Sequence, residues 1–131
     1  MRLLAAFALA ITLTAPSAVH ATESMNETRT TLQAALQRSL DASLIEGAVQ
    51  QVDLDSGEVR NFYPVENHPM ILELGDLYVL CSDLMSRDGD HVTVDYFFAP
   101  AGGTYRVIQT EIDNRAPLEA LMKAGKLTRL K

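Results

Sequence analysis

The sequence predicts an α+β fold: a long N-terminal helix packed on a meandering antiparallel sheet of five to seven strands, closed by a short C-terminal helix. Three observations lead there. Met25, Thr28, Leu32, Ala35, Leu36, Ser39, Leu40 and Ser43 recur at three- and four-residue spacing, which is one stripe of a helix. From Ala48 the apolar period changes to alternation. Turn sequences then punctuate the chain: Asp55-Ser56-Gly57-Glu58, Gly75-Asp76, Asp88-Gly89 and Pro100-Ala101-Gly102-Gly103.

The chain has 131 residues, a formal net charge of −6 and one cysteine. Arg2, the apolar run Leu3 to Leu13, Pro16 and the small-residue site Val19-His20-Ala21 follow the order of a secretory signal peptide. The run is shorter than the roughly 20 apolar residues a membrane span needs. Residues 1–21 are therefore expected to be a signal peptide and residues 22–131 a single α+β domain. Loss of Arg2 would leave that domain one unit more negative. Export in a bacterial setting means a periplasmic or secreted location, where one lone cysteine cannot support a disulfide scaffold.

Acidic balance argues against nucleic acid and against anionic lipid surfaces as partners, because both need basic stripes. The charge is also divided. Asp41 to Asp95 holds twelve acids against Arg60 and Arg87, whereas Asp113 to Lys131 holds five bases against two acids. A basic C-terminal segment folding back on an acidic body would account for that.

Ser24 and Glu27 read as a capping box opening the helix, and Gly47 as its stop. Loop counting across Asp55 to Glu58 sets Leu54 opposite Val59 and Asp53 opposite Arg60. Pro64 and Pro69 read the segment between them as a loop, since two prolines do not fit a central strand. Met70 to Leu74, Leu77 to Met85, His91 to Ala99 and Thr104 to Ile112 read as strands. Pro117 to Ala124 reads as a helix with proline in its first turn and Gly125 past its end. Lys126 to Leu130 would be a last strand. The helix-then-meander order is similar to that of cystatin-like and PepSY-type exported modules; the likeness is one of layout, and no residue is carried over.

Two-residue loops at Gly75-Asp76 and Asp88-Gly89 would fix the faces of the sheet. One face then carries Met70, Leu72, Leu74, Leu77, Val79, Cys81, Asp83, Met85, Val92, Val94, Tyr96 and Phe98. It is apolar apart from Asp83 and should lie under the long helix. The other carries Ile71, Leu80, Leu84 and Phe97 among Glu73, Tyr78, Ser82, Thr93 and Asp95. Large apolar groups on a mixed face are either covered by the C-terminal helix or form a patch for a protein partner or a second copy.

Chemistry is sparse. There is no GxSxG, no glycine-rich phosphate loop and no HExxH or paired-cysteine spacing, so neither a cofactor nor a metal is expected. Asp53 to Gly57 lacks the ligand positions of a calcium loop. Cys81 on an apolar face reads as a small hydrophobe, and the expected register leaves His91 too far along the strand to activate it. Asp83 stands out as an acid among apolar neighbours. Burial would raise its pKa and make it a candidate general base. His68, in the segment read as a loop, stays open as a partner for Cys81 were that thiol a nucleophile. The leading expectation is a small exported, non-enzymatic binding or protein-interaction module, binding through Ile71, Leu80, Leu84, Phe97 and Asp95. The alternative is a small-ligand carrier or enzyme with a helix–sheet cavity around Asp83, Tyr96 and His68.

Overall fold

The computed structural model describes residues 18–131, with side-chain surroundings from Ser24 onward. Most of the expected signal peptide lies outside the described residues. The predicted architecture is present. Helix α1 (Ala18–Ser43) packs on an antiparallel sheet, followed by the short helix α2 (Ala116–Lys123). The strands are β1 (Leu44–Ile45), β2 (Ala48–Val52), β3 (Val59–Leu74), β4 (Leu77–Ser86), β5 (His91–Ala101), β6 (Thr104–Ile112) and β7 (Thr128–Arg129). They order simply as β1 to β6, with β7 added to β3.

No breaker separates Pro16 from Ser24, so α1 runs through Ser24, and the expected capping box lies inside the helix. The helix ends at Ser43, whose Oγ donates to the Leu40 carbonyl at 2.7 Å. Gly47 plays a different part from the expected stop. Glu46 (φ 52°) and Gly47 (φ 83°) form the loop joining β1 to β2, the two left-handed residues a type I′ turn requires. At the other end of the chain, α2 closes as expected. Gly125 N–H bonds the Met122 carbonyl and Lys126 N–H the Leu121 carbonyl, a Schellman cap on a left-handed glycine.

Three expectations about the sheet need correction. First, Val59 faces Val52 and Arg60 faces Gln51, because the loop between them is longer than a two-residue turn. Asp53 instead accepts the Asp55 and Ser56 amides on its side chain, at 2.9 and 3.1 Å. Arg60 pairs with Asp113, at 3.6 Å.

Second, Pro64 to Pro69 belongs to β3 rather than to a loop. Two irregularities, between Pro64 and Glu66 and between Asn67 and Ile71, absorb the prolines. Pairing with β2 ends at Phe62 and pairing with β7 starts at Leu72. Between them β3 is an edge, where a missing N–H does no harm. α1 seals that edge: Gln33 donates to the His68 carbonyl at 3.2 Å, and Asn67 donates to Gln37 at 2.9 Å.

Third, β4 and β5 are out of the expected register by one residue. Gly75-Asp76 is the expected two-residue loop, with Leu74 opposite Leu77. After β4, however, Met85 faces His91 and Leu84 faces Val92. Ser86 N–H bonds the Asp90 carbonyl at 2.8 Å and Gly89 N–H the Ser86 carbonyl at 3.1 Å. That is a three-residue loop with a left-handed Gly89 (φ 90°), and Asp88 does not take the positive φ that type I′ demands.

The shift of one re-sorts the faces. Leu80, Leu84, Val92, Val94, Tyr96 and Phe98 lie together under α1, against Leu32, Leu36 and Leu40, with Ile71 and Phe62. Val79 and Phe97 share the opposite face with Cys81, Asp83 and Asp95, and meet Leu118 of α2 there. The expected single core face is therefore wrong. The sheet lies between two helices, with the larger core under α1. At roughly 1.5–3 kcal/mol per fully buried large side chain, that layer dominates the stability.

Candidate functional site

The five residues assigned to a binding face are not on one. Ile71, Leu80 and Leu84 are fully buried under α1, while Phe97 (6 % exposed) and Asp95 (1 % exposed) are buried on the opposite face. The two sets point away from each other, so the proposed docking surface does not exist. The one-residue register shift is the cause, together with α1 covering the even positions of β4.

Structure does bring two of the chemistry candidates together. His68 Nε2 lies 3.0 Å from Asp83 Oδ1, joined across the irregularity in β3. Thr93, directly opposite Asp83, donates to the same oxygen at 3.3 Å. The His68 contact, helped by Thr93, holds the Asp83 carboxyl below its ordinary range. This is the reverse of the expected rise, because Asp83 gains a donor and keeps water instead of being stranded in apolar surroundings. A carboxylate shifted down is a poor general base at neutral pH. Tyr96, expected beside this pair, is on the α1 face of the sheet.

One position along, Cys81 donates to Asp95 Oδ1 at 3.0 Å, and Arg115 Nη1 reaches the same oxygen at 3.2 Å. Burial, reinforced by the Asp95 carboxylate, pushes the Cys81 thiol up to about 12. Nucleophilic thiolates need the opposite shift. Arg115 stands just before α2, so the cluster fastens that helix to the sheet. Among the described residues no three His, Cys, Asp or Glu side chains gather as a metal site, and no helix is long and apolar enough to cross a membrane.

A different feature was missed by sequence reasoning. Tyr96 is buried, and its hydroxyl has no hydrogen-bond partner. Burial pushes that hydroxyl up to about 12, so it is a donor in search of an acceptor. Tyr96 lines a cavity of about 240 Å³ between α1 and the sheet, with Ser39, Ser43, Val49, Val107 and Thr110. A second cavity of about 400 Å³ shares Ser39, Ser43 and Val107 and opens along the outer strand β6. Together they form a groove with an apolar wall and a hydroxyl-bearing inner part. The outer cavity by itself reaches the lower part of the range of small-molecule sites, roughly 300–1,000 Å³, and the inner one lies below it. Alternation marks Tyr96 only as a core residue. Nothing in the order of residues says that its hydroxyl ends without a partner.

The groove between α2 and the sheet is larger, about 480 Å³, and lined by Leu74, Leu77, Phe97, Ile108 and Leu121 among others. Among the described residues, the buried polar atoms without a partner are on Asn61, Asp95 and Tyr96, and none of these residues lines it. Comparison with known protein families, with curated proteins and with solved structures finds no match to the chain.

Proposed function

We propose that this protein is a small exported, non-enzymatic binding module that takes a small ligand in the groove between α1 and β6. The buried, unpartnered Tyr96 hydroxyl in a residue lining that groove carries the reading. A buried hydroxyl without a partner costs about 1–3 kcal/mol, a cost that a ligand acceptor removes. The depressed Asp83 carboxyl and the elevated Cys81 thiol support binding over catalysis, because both groups sit in their resting protonation states at neutral pH. The expected signal peptide supports export.

Phenol is a suitable probe: small, neutral and able to meet both the apolar wall and the Tyr96 hydroxyl. Titration followed by amide chemical shifts should move Ser39, Val49, Val107 and Thr110 in the native protein. A Val107→Trp variant, with the groove filled, should show none of these changes. If saturating phenol leaves those amides of the native protein unmoved, the groove is not a binding site. Export is tested separately: N-terminal sequencing of the periplasmic form should start at or near residue 22.

A further inference from the structure

A free strand edge is a row of unpaired N–H and C=O groups, a template for another strand, and proteins usually shorten or cover it. Elsewhere in this sheet the edges are short or covered. β1 and β7 have two residues each. The open stretch of β3 carries Pro64 and Pro69, and α1 bonds its carbonyls through Arg29 on Pro69 and Gln33 on His68. β6 is different. It pairs with β5 alone and runs for nine residues without a proline or a lysine. Among the described residues, α1 hydrogen-bonds β6 only through Arg38 on the Thr104 hydroxyl, which leaves the backbone free. β6 also has no net charge, one arginine against one glutamate, in a chain of formal charge −6.

Facing residues of an antiparallel pair share one side of the sheet. In a regular strand Arg106 and Glu111, five positions apart, would point to opposite sides. Here Gln109 faces Phe97 and Val107 faces Phe98, so Ile108 is an extra residue. That bulge brings Arg106 and Glu111 to the same side, away from α1. Among the described residues Arg106 has no carboxylate partner. Glu111 accepts from the Gln109 and Asn114 amides, at 2.7 and 2.8 Å, and meets no cation. We propose that two copies of this chain join edge to edge through antiparallel β6 strands, Arg106 of each copy facing Glu111 of the other. The same register sets Tyr105 opposite Ile112 and Val107 opposite Thr110 on the α1 side, β-branched and aromatic pairs that suit a sheet. It brings the two bulges together at the two-fold axis, where Ile108, 59 % exposed in the single chain, is covered. The edge is thus complementary to itself, as a symmetric dimer requires. The pairing is independent of the groove and its ligand.

Sedimentation equilibrium of the native protein, from micromolar to millimolar concentration, should show a monomer–dimer equilibrium. Hydrogen exchange should slow in the β6 amides as the dimer forms. Arg106→Glu and Glu111→Arg should each weaken association about tenfold, because the two-fold axis repeats every like-charge contact. An equal mixture of the two variants should associate again, since each facing pair then joins a carboxylate to a guanidinium. The native sedimentation and exchange series stands by itself if a variant fails to fold. A protein that stays monomeric at millimolar concentration overturns the proposal and leaves the edge to a strand of another protein. Association that neither substitution weakens places the contact elsewhere and overturns it as well. So does a mixture that associates no better than either variant alone.

Discussion

The two faces of the sheet are built on opposite plans. Under α1 the packing is continuous and almost wholly apolar, from Leu32, Leu36 and Leu40 to Phe62, Ile71, Leu80 and Phe98. The opposite face has a small apolar cluster under α2, Val79, Phe97 and Leu118, beside a polar row of His68, Asp83, Thr93, Cys81, Asp95 and Arg115. Beyond that row Val52 and Val59 pair in the open, each more than half exposed. The face that carries the familiar chemical residues has them tied to one another, with the second Asp95 oxygen left over, while the apolar face hides a Tyr96 hydroxyl with no partner at all. Reactive-looking side chains in close contact are here a fastening. The unmet donor is the better sign of a site.

The sharpest way to break that comparison is to weaken each layer. Leu36→Ala should cost about 4 kcal/mol, read as a global loss in denaturant unfolding. Leu118→Ala should cost about 2–3 kcal/mol, and hydrogen exchange should show it mainly in α2, with the amides of β4 and β5 still protected. If Leu118→Ala unfolds the sheet as fully as Leu36→Ala does, the two layers are one core.

Next in size is Arg115→Met. It strands the buried Asp95 carboxylate and should cost about 2–3 kcal/mol, below the 3–5 kcal/mol of a fully buried pair because Arg115 is 40 % exposed. The additional variant Asp95→Asn should recover part of that loss, since it removes the stranded charge. No recovery in chemical denaturation would mean that Arg115 acts through packing alone.

Tyr96→Phe should change stability in the other direction, by about 1 kcal/mol of stabilisation without ligand, because it removes an unsatisfied buried hydroxyl. A destabilised variant would show that the hydroxyl already has a partner in solution.

The smallest expected effect belongs to His68→Ala, about 0.5 kcal/mol for a part-exposed pair. Its pH dependence has a definite sign. The folded Asp83 carboxyl is held below its ordinary value by His68. The pair therefore stabilises above the usual carboxylate pKa of about 4, and the contribution disappears as pH falls through the lower, folded value. The gap between native protein and variant should be open at pH 6 and should close as acidification carries the pH below the usual carboxylate range and through the lower, folded value. A gap that widens on acidification would contradict the assignment.

Much of the fold was legible in the order of residues. The α1 stripe from Leu32 to Leu40 is a helical period that admits one buried face. Gly75-Asp76 is the two-residue loop expected there, Leu74 facing Leu77, and the turn expected over Pro100 to Gly103 is a loop at Gly102-Gly103, Ala101 facing Thr104. The β3 prolines misled because the sequence does not show which stretch of a long strand lacks a neighbour. The candidate site was hardly legible. Asp83 and His68 were both expected in one cavity with Tyr96, but their direct contact at 3.0 Å, on the other face from Tyr96, comes from the irregularity in β3. The neighbours of Cys81 and Tyr96 were assigned to the wrong face.

That error shows what each level decides. Sequence alone determined the order of elements, the sites of the turns and the helical stripe, because these follow from local backbone preference and short-range periodicity. It could not decide which face of β4 lies under α1. Asp88-Gly89 is compatible with a loop of two residues or of three, and one residue of difference turns every β5 side chain over relative to β4. Alternation normally exposes such a slip by placing polar residues in the core. Here both faces are apolar where a helix covers them, Leu80 with Tyr96 on one and Val79 with Phe97 on the other. The packing of two helices on one sheet therefore chose the register, and with it whether each buried polar group found a partner.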